Sequence, residues 1–249
     1  MQKFSLISKV FIAVVVMTGA AMLVNGLLHW KSGQPIEVFA LLIMTLIASR
    51  LKVKLPGING SLSVNVPYLL VVAVRLSAGE ALAIAALASL VQSIPALLKI
   101  RATVIQAIFS SAAITNSVAA AIFAFNLASI HGVLGPLSVS AAGAAFFLAN
   151  TVQIALVLWL AEGHNPFNAW LRMARLSAPY YVLSAAVAAV VCSAVQFAIW
   201  GEALALLPLM YSIYASYRLY FGGPVALQEP AAAKAIRAHA VSATSATLK

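Results

Sequence analysis

The chain has 249 residues, of which 63% are hydrophobic and only 8% charged, with a mean hydropathy of +1.03. So little polar surface cannot cover a water-soluble fold, which makes lipid the expected solvent. The 15 Lys and Arg outnumber the five Glu (there is no Asp) and give a net charge of +10, but most of these cations stand between apolar runs, where they set topology and meet anionic headgroups rather than nucleic acid.

In chain order, the first apolar run extends from Ile7 to Trp30 after a basic start. It is too long for the apolar part of a cleaved signal and is read as a first spanning helix, ending in the interfacial group His29, Trp30 and Lys31. A short second segment, Pro35 to Ser49, closes on Arg50, Lys52 and Lys54. After a turn containing Pro56, Gly57, Asn59 and Gly60, residues Ser61 to Val66 alternate polar and apolar. This pattern suits an extended stretch with Ser61, Ser63 and Asn65 on one face. Segment three, Pro67 to Ser77, is too short to cross a bilayer alone, so the region near 57–66 together with it is expected to be re-entrant or strand-like.

Segment four covers Ala78 to Leu98, with Pro95 inside and Lys99 and Arg101 after it, segment five Thr103 to Ala128, and segment six Val139 to Ala161. Between Asn165 and Arg175, aromatic Phe167 and Trp170 stand among Arg172 and Arg175, which suits a separate short helix in the headgroup layer. Segment seven follows from Pro179 to Trp200, and segment eight from Glu202 to Phe221. In segment eight Tyr211, Tyr214, Tyr217 and Tyr220 recur on one side, as an interfacial belt does more often than a ligand cage. The tail from Gly222 to Lys249 is rich in Ala, Ser and Thr and is expected to be poorly ordered.

The expected fold is therefore an all-α, polytopic integral membrane bundle of about eight segments, with seven possible, over residues 1–221, and a cytoplasmic tail over 222–249. Eight crossings leave only Lys31 and Arg75 on one side and every other loop cation on the other. By the positive-inside rule both termini are then cytoplasmic, in a bacterial inner membrane.

Polar groups inside a bilayer are expensive unless they face a partner or a cavity, so each is a candidate site. Gln92, Gln106, Asn116, Asn150 and Gln153 lie within or beside apolar runs and, with Ser61, Ser63 and Asn65, are the candidate ligand-binding residues. Ordinary bonding between helices explains each of them equally well. Arg75 and Glu80 flank one turn and are expected either to form an ion pair or to reach separately for water. No metalloprotease, serine-hydrolase or phosphate-loop motif is present, and without Asp the usual acidic metal site is missing. The four His and the lone Cys192 form no ligand set, so no metal, cofactor or catalytic residue is expected. An intramembrane enzyme ranks third among the functional classes.

At ASRLKVKLPGINGSLSVNVPYLL, FLANT (Phe147 to Thr151), APYY (Ala178 to Tyr181) and LPLMYSIYASYRLY (Leu207 to Tyr220), the sequence resembles the multi-helix membrane sensor modules (MASE-like) that precede HD-GYP or GGDEF domains in bacterial signalling proteins. The resemblance covers most of Leu41 to Tyr220 and implies a non-enzymatic sensory or small-molecule-binding module. Here a short Ala-rich stretch stands where the output domain would follow, so the output would belong to a separate cytoplasmic protein. The run LPGINGSLSVNVPYLL also looks like the loop, strand and Pro-led short helix of the substrate-binding S-components of energy-coupling-factor transporters. That likeness implies a role for Ser61, Ser63 and Asn65 in covering a ligand. It also implies contact with transporter subunits through small faces such as Ala113, Ser117 and Ala121, for which packing within the bundle is the simpler account.

Overall fold

The computed structural model describes residues 5–31, 35–54, 61–98, 104–162, 165–193, 211–212 and 215–216. Seven helices and one small hairpin occur among them, in the order α1 (Leu6–Leu28), α2 (Pro35–Arg50), β1 (Lys52–Lys54), β2 (Ser61–Ser63), α3 (Val66–Arg75), α4 (Ala78–Leu98), α5 (Val104–Ile130), α6 (Gly135–Glu162) and α7 (Pro166–Ser193). Among the described residues four helical stretches, Leu6–Leu28, Val104–Ile130, Gly135–Leu160 and Pro166–Ser193, are long and apolar enough to cross a membrane. At about 1.5 Å per residue, even the 23 residues of α1 exceed the roughly 30 Å of a hydrocarbon core. Their outward side chains are apolar, as Met17, Phe123, Leu148 and Val190 illustrate.

Local chemistry sets several helix starts. Ser5 caps α1 by accepting from the Ser8 N–H at 3.1 Å. Asn165 caps α7 by accepting from the N–H groups of Phe167 (3.0 Å) and Asn168 (3.3 Å), with Pro166 at the first helical position, where its missing N–H costs nothing. Between α5 and α6 the chain reverses through Gly132, whose φ of 71° is open to glycine without a Cβ penalty.

The separate interfacial helix expected over 165–175 does not occur: α7 runs unbroken from Pro166 through the internal Pro179 to Ser193. A proline inside a helix removes one main-chain bond, and neighbouring elements make that loss tolerable. Here Ser177 Oγ donates to the Met173 carbonyl at 2.8 Å and Ser184 Oγ to the Tyr180 carbonyl at 2.7 Å, on either side of the proline.

β1 and β2 pair antiparallel, Lys52 opposite Ser63 and Lys54 opposite Ser61. The hairpin ends where α3 begins. That ten-residue helix is the centre of the molecule: Val66 to Ala73 are all buried, and α2, α4, α5, α6 and α7 pack around it. The main core gathers Tyr68, Leu69, Leu70 and Val72 of α3 with Ala85 of α4, Val118 of α5, Phe146 of α6 and Tyr180 of α7.

Close helix crossings rest on small residues. A Cβ on Gly19 of α1 would lie 2.9 Å from Ala112 Cα of α5, and one on Gly143 of α6 would lie 2.7 Å from Ala185 Cβ of α7. Gly26 of α1 and Gly79 of α4 meet backbone to backbone. Ala113, Ser117 and Ala121 are buried inside the bundle, so those small surfaces serve its own packing. The turn 55–60, most of segment eight with Tyr214, Tyr217 and Tyr220, and the tail 222–249 lie outside the described residues.

Candidate functional site

Polar side chains meet in small groups inside this apolar bundle, at the start of α3, between α6 and α7, and where α1, α5 and α6 join. At the start of α3, buried Asn65 donates from Nδ2 to Ser49 Oγ of α2 at 2.9 Å, and Ser49 Oγ donates on to the Thr45 carbonyl at 2.7 Å. The first N–H of α3, on Val66, donates to the Tyr180 hydroxyl of α7 at 3.2 Å. A helix start inside a protein leaves N–H groups that the helix itself cannot satisfy, and here another helix supplies an acceptor.

Tyr180 stands edge-on to Tyr181, with ring centroids 5.6 Å apart, and Tyr181 also packs against Phe147 at 5.0 Å. The Tyr181 hydroxyl accepts from Asn150 Nδ2 of α6 at 2.7 Å. One turn along α6, Gln153 faces α5: its Oε1 accepts from Asn116 Nδ2 at 3.2 Å, while its Nε2 donates to the Ala149 carbonyl at 2.8 Å. Asn116 Nδ2 donates also to the Val15 carbonyl of α1 at 3.1 Å, and its Oδ1 is buried without a partner.

The candidate residues thus fall into groups rather than one cluster. Asn65 belongs to the start of α3, Asn150 to the α6–α7 contact, and Asn116 with Gln153 to the junction of α1, α5 and α6. Gln92 lies on α4 with a buried, unpartnered Oε1, and Gln106 is exposed in the first turn of α5. Only the main chain of Ser61 and Ser63 is described, in strand β2. Tyr180, Tyr181, Ser49 and Ser89 were not among the candidates. For the tyrosines the readable signal is the adjacent pair itself, which puts two hydroxyls next to Pro179 in an apolar run.

The expected pairing of Arg75 with Glu80 is replaced by another. Arg75 Nε, at the end of α3, donates to Glu37 Oε1, in the first turn of α2, at 3.1 Å. Glu80 turns its carboxylate onto the start of its own helix, accepting from the Ser77 N–H at 3.1 Å and the Ser77 hydroxyl at 2.8 Å. Ser77 Oγ accepts in return from the Glu80 N–H at 3.4 Å, which completes a capping box. The physical reason is local: a carboxylate three residues beyond a serine reaches that serine's N–H without ordering another segment.

Among the described residues no three His, Cys, Asp or Glu side chains converge as a metal site would require. The chain matches no protein-family model, no curated protein and no solved structure. Fold and site together define a helical protein with, among the described residues, four membrane-length apolar helices, an enclosed short helix and a polar group at that helix's start.

Proposed function

We propose that this protein is a multi-pass membrane module, without catalytic activity of its own, that binds a small apolar or amphipathic molecule in its interior and signals occupancy to a partner. The observation that carries this reading is α3, which begins in the interior at Asn65, Ser49 and Tyr180 instead of at a surface. Within a bilayer a broken helix is tolerated only where protein encloses it or where it lines a cavity. Helix breaks of this kind are where membrane proteins place ligand sites. The distribution of Lys and Arg supports a reading with about eight crossings and both termini on the cytoplasmic side of a bacterial inner membrane. Segment eight and the tail are the natural route to a cytoplasmic output protein.

Native mass spectrometry of the gently solubilised protein tests this reading. The expected result is an additional small-molecule mass on the folded chain, reduced in Tyr180→Phe and Asn65→Ala. A folded protein that carries no such mass and takes none up from a membrane extract would overturn it.

The hairpin followed by a Pro-led short helix favours a second reading, the substrate-binding subunit of a small-molecule transporter. It predicts co-purification with a pair of ATPase subunits, and a signalling partner in their place decides for the first.

A further inference from the structure

The outer side of α2 ends on a cation. Ile36, Phe39, Ile43 and Ile47 are exposed at helical spacing, and Arg50, exposed three residues further on, closes the same row in the last turn. With 16 residues α2 is about 24 Å long, short of the roughly 30 Å of a hydrocarbon core, whereas the 27 residues of α5 carry no charged side chain over about 40 Å. α2 cannot slide to bring Arg50 to water, because α3 holds it near both ends, through Arg75 with Glu37 and Asn65 with Ser49.

α7 changes character at a matching place. Its exposed side chains are first Arg172 and Arg175, and then Pro179, Val182 and Val190. Arg175 lies little more than a turn before Tyr180, whose hydroxyl is bonded to Val66 beside Asn65 and so is linked to the end of α2. Two helices thus turn from apolar to cationic on their outer faces near the start of α3.

Arg50 carries five N–H donors, and among the described residues it has no hydrogen bond or ion pair. An arginine on a lipid-facing row lays its stem along apolar surface and turns its head to the nearest phosphate, whose oxygens its planar fork matches. Lys52 and Lys54 follow directly, three cations in five residues of sequence, which favours an anionic headgroup over a zwitterionic one. We propose that the outer face of α2 is a seat for an anionic phospholipid, its phosphate on Arg50 and an acyl chain along Ile47, Ile43 and Phe39. This surface seat is separate from the interior ligand of the proposed function and does not depend on it.

Native mass spectrometry of the full chain, released from nanodiscs of phosphatidylcholine and phosphatidylglycerol in equal amounts, tests the seat by the lipid retained. Phosphatidylglycerol is expected to exceed phosphatidylcholine about fivefold, the worth of one cation at an anionic surface. Arg50→Gln should lose most of that preference, Arg50→Lys should keep part of it, and Lys31→Gln, which removes an exposed cation elsewhere, should keep it all. Because Arg50 is exposed, Arg50→Gln should unfold at the wild-type midpoint in phosphatidylcholine alone, and if it fails to fold the wild-type ratio decides. Equal retention of the two lipids by the wild-type chain, or a preference undiminished in Arg50→Gln, would overturn the seat. Displacement of the lipid by excess inorganic phosphate would overturn it too, marking a site for a free anion instead.

Discussion

Arg75 and Glu37 join two helix ends that are 38 residues apart in sequence, the last turn of α3 and the first of α2, through a 3.1 Å contact. The two side chains are 20% and 11% exposed, so water screens the pair only in part. Truncating one partner of a fully buried pair costs about 3–5 kcal/mol, and residual hydration lowers that here to about 2 kcal/mol. Glu37→Ala should therefore destabilise the protein by about this amount in detergent unfolding. The exchange of the two residues, Glu37→Arg with Arg75→Glu, should recover part of the loss, and no recovery would mean that the contact contributes nothing specific.

Gly79 and Gly135 offer a contrast in one substitution. A Cβ at position 79 runs into the Gly26 carbonyl, which is backbone and cannot swing aside, whereas a Cβ at position 135 meets nothing within 4 Å. Gly79→Ala should cost about 1–3 kcal/mol through overpacking, and Gly135→Ala should be neutral within about 0.5 kcal/mol. Comparable effects of the two on the unfolding midpoint would show that α1 and α4 do not cross where Gly26 and Gly79 meet.

Asn116 and Gln153 are bonded across α5 and α6 at 3.2 Å. Hydrogen bonds between membrane helices are worth on the order of 1 kcal/mol, and often less. A double-mutant cycle with Asn116→Ala and Gln153→Ala should return a coupling of about that size with favourable sign. Strictly additive losses would remove Gln153 from the partnership.

Arg50 and Arg172, both exposed, belong on one side of the membrane under the proposed topology. In a Cys192→Ala background, Arg50→Cys and Arg172→Cys should both react with an impermeant maleimide only in inside-out vesicles. Reaction from opposite sides would refute the arrangement of crossings.

Much of the fold is legible in the sequence because apolar run length carries it. Segment two, Pro35 to Ser49, and segment four, Ala78 to Leu98, coincide with α2 and α4 to within a residue. The brevity of segment three also foretold something unusual at α3. Tertiary choices are what the sequence hides. Arg75 has two acidic candidates in reach of a reader, and the nearer, Glu80, is already engaged with Ser77 in a pattern that the S-x-x-E spacing spells out. Pro179 reads as a helix start because a proline costs least there, and only α7's packing against α3 and α6 shows that the helix continues through it. The polar side chains were legible one at a time. Their grouping was not, since half of the partners are main-chain atoms such as the Val66 N–H and the Val15 carbonyl, which every sequence possesses.

The enclosure of α3 also bears on how the chain is made. A ten-residue helix is too short to be released into lipid as an independent span, and its side chains from Val66 to Ala73 find their contacts mainly on helices translated later. The acceptor for its first N–H, Tyr180, emerges more than a hundred residues after it. Nascent chains halted before α7 therefore hold the hairpin and α3 without their final lodging, and the centre of the molecule is the last part to settle during biogenesis.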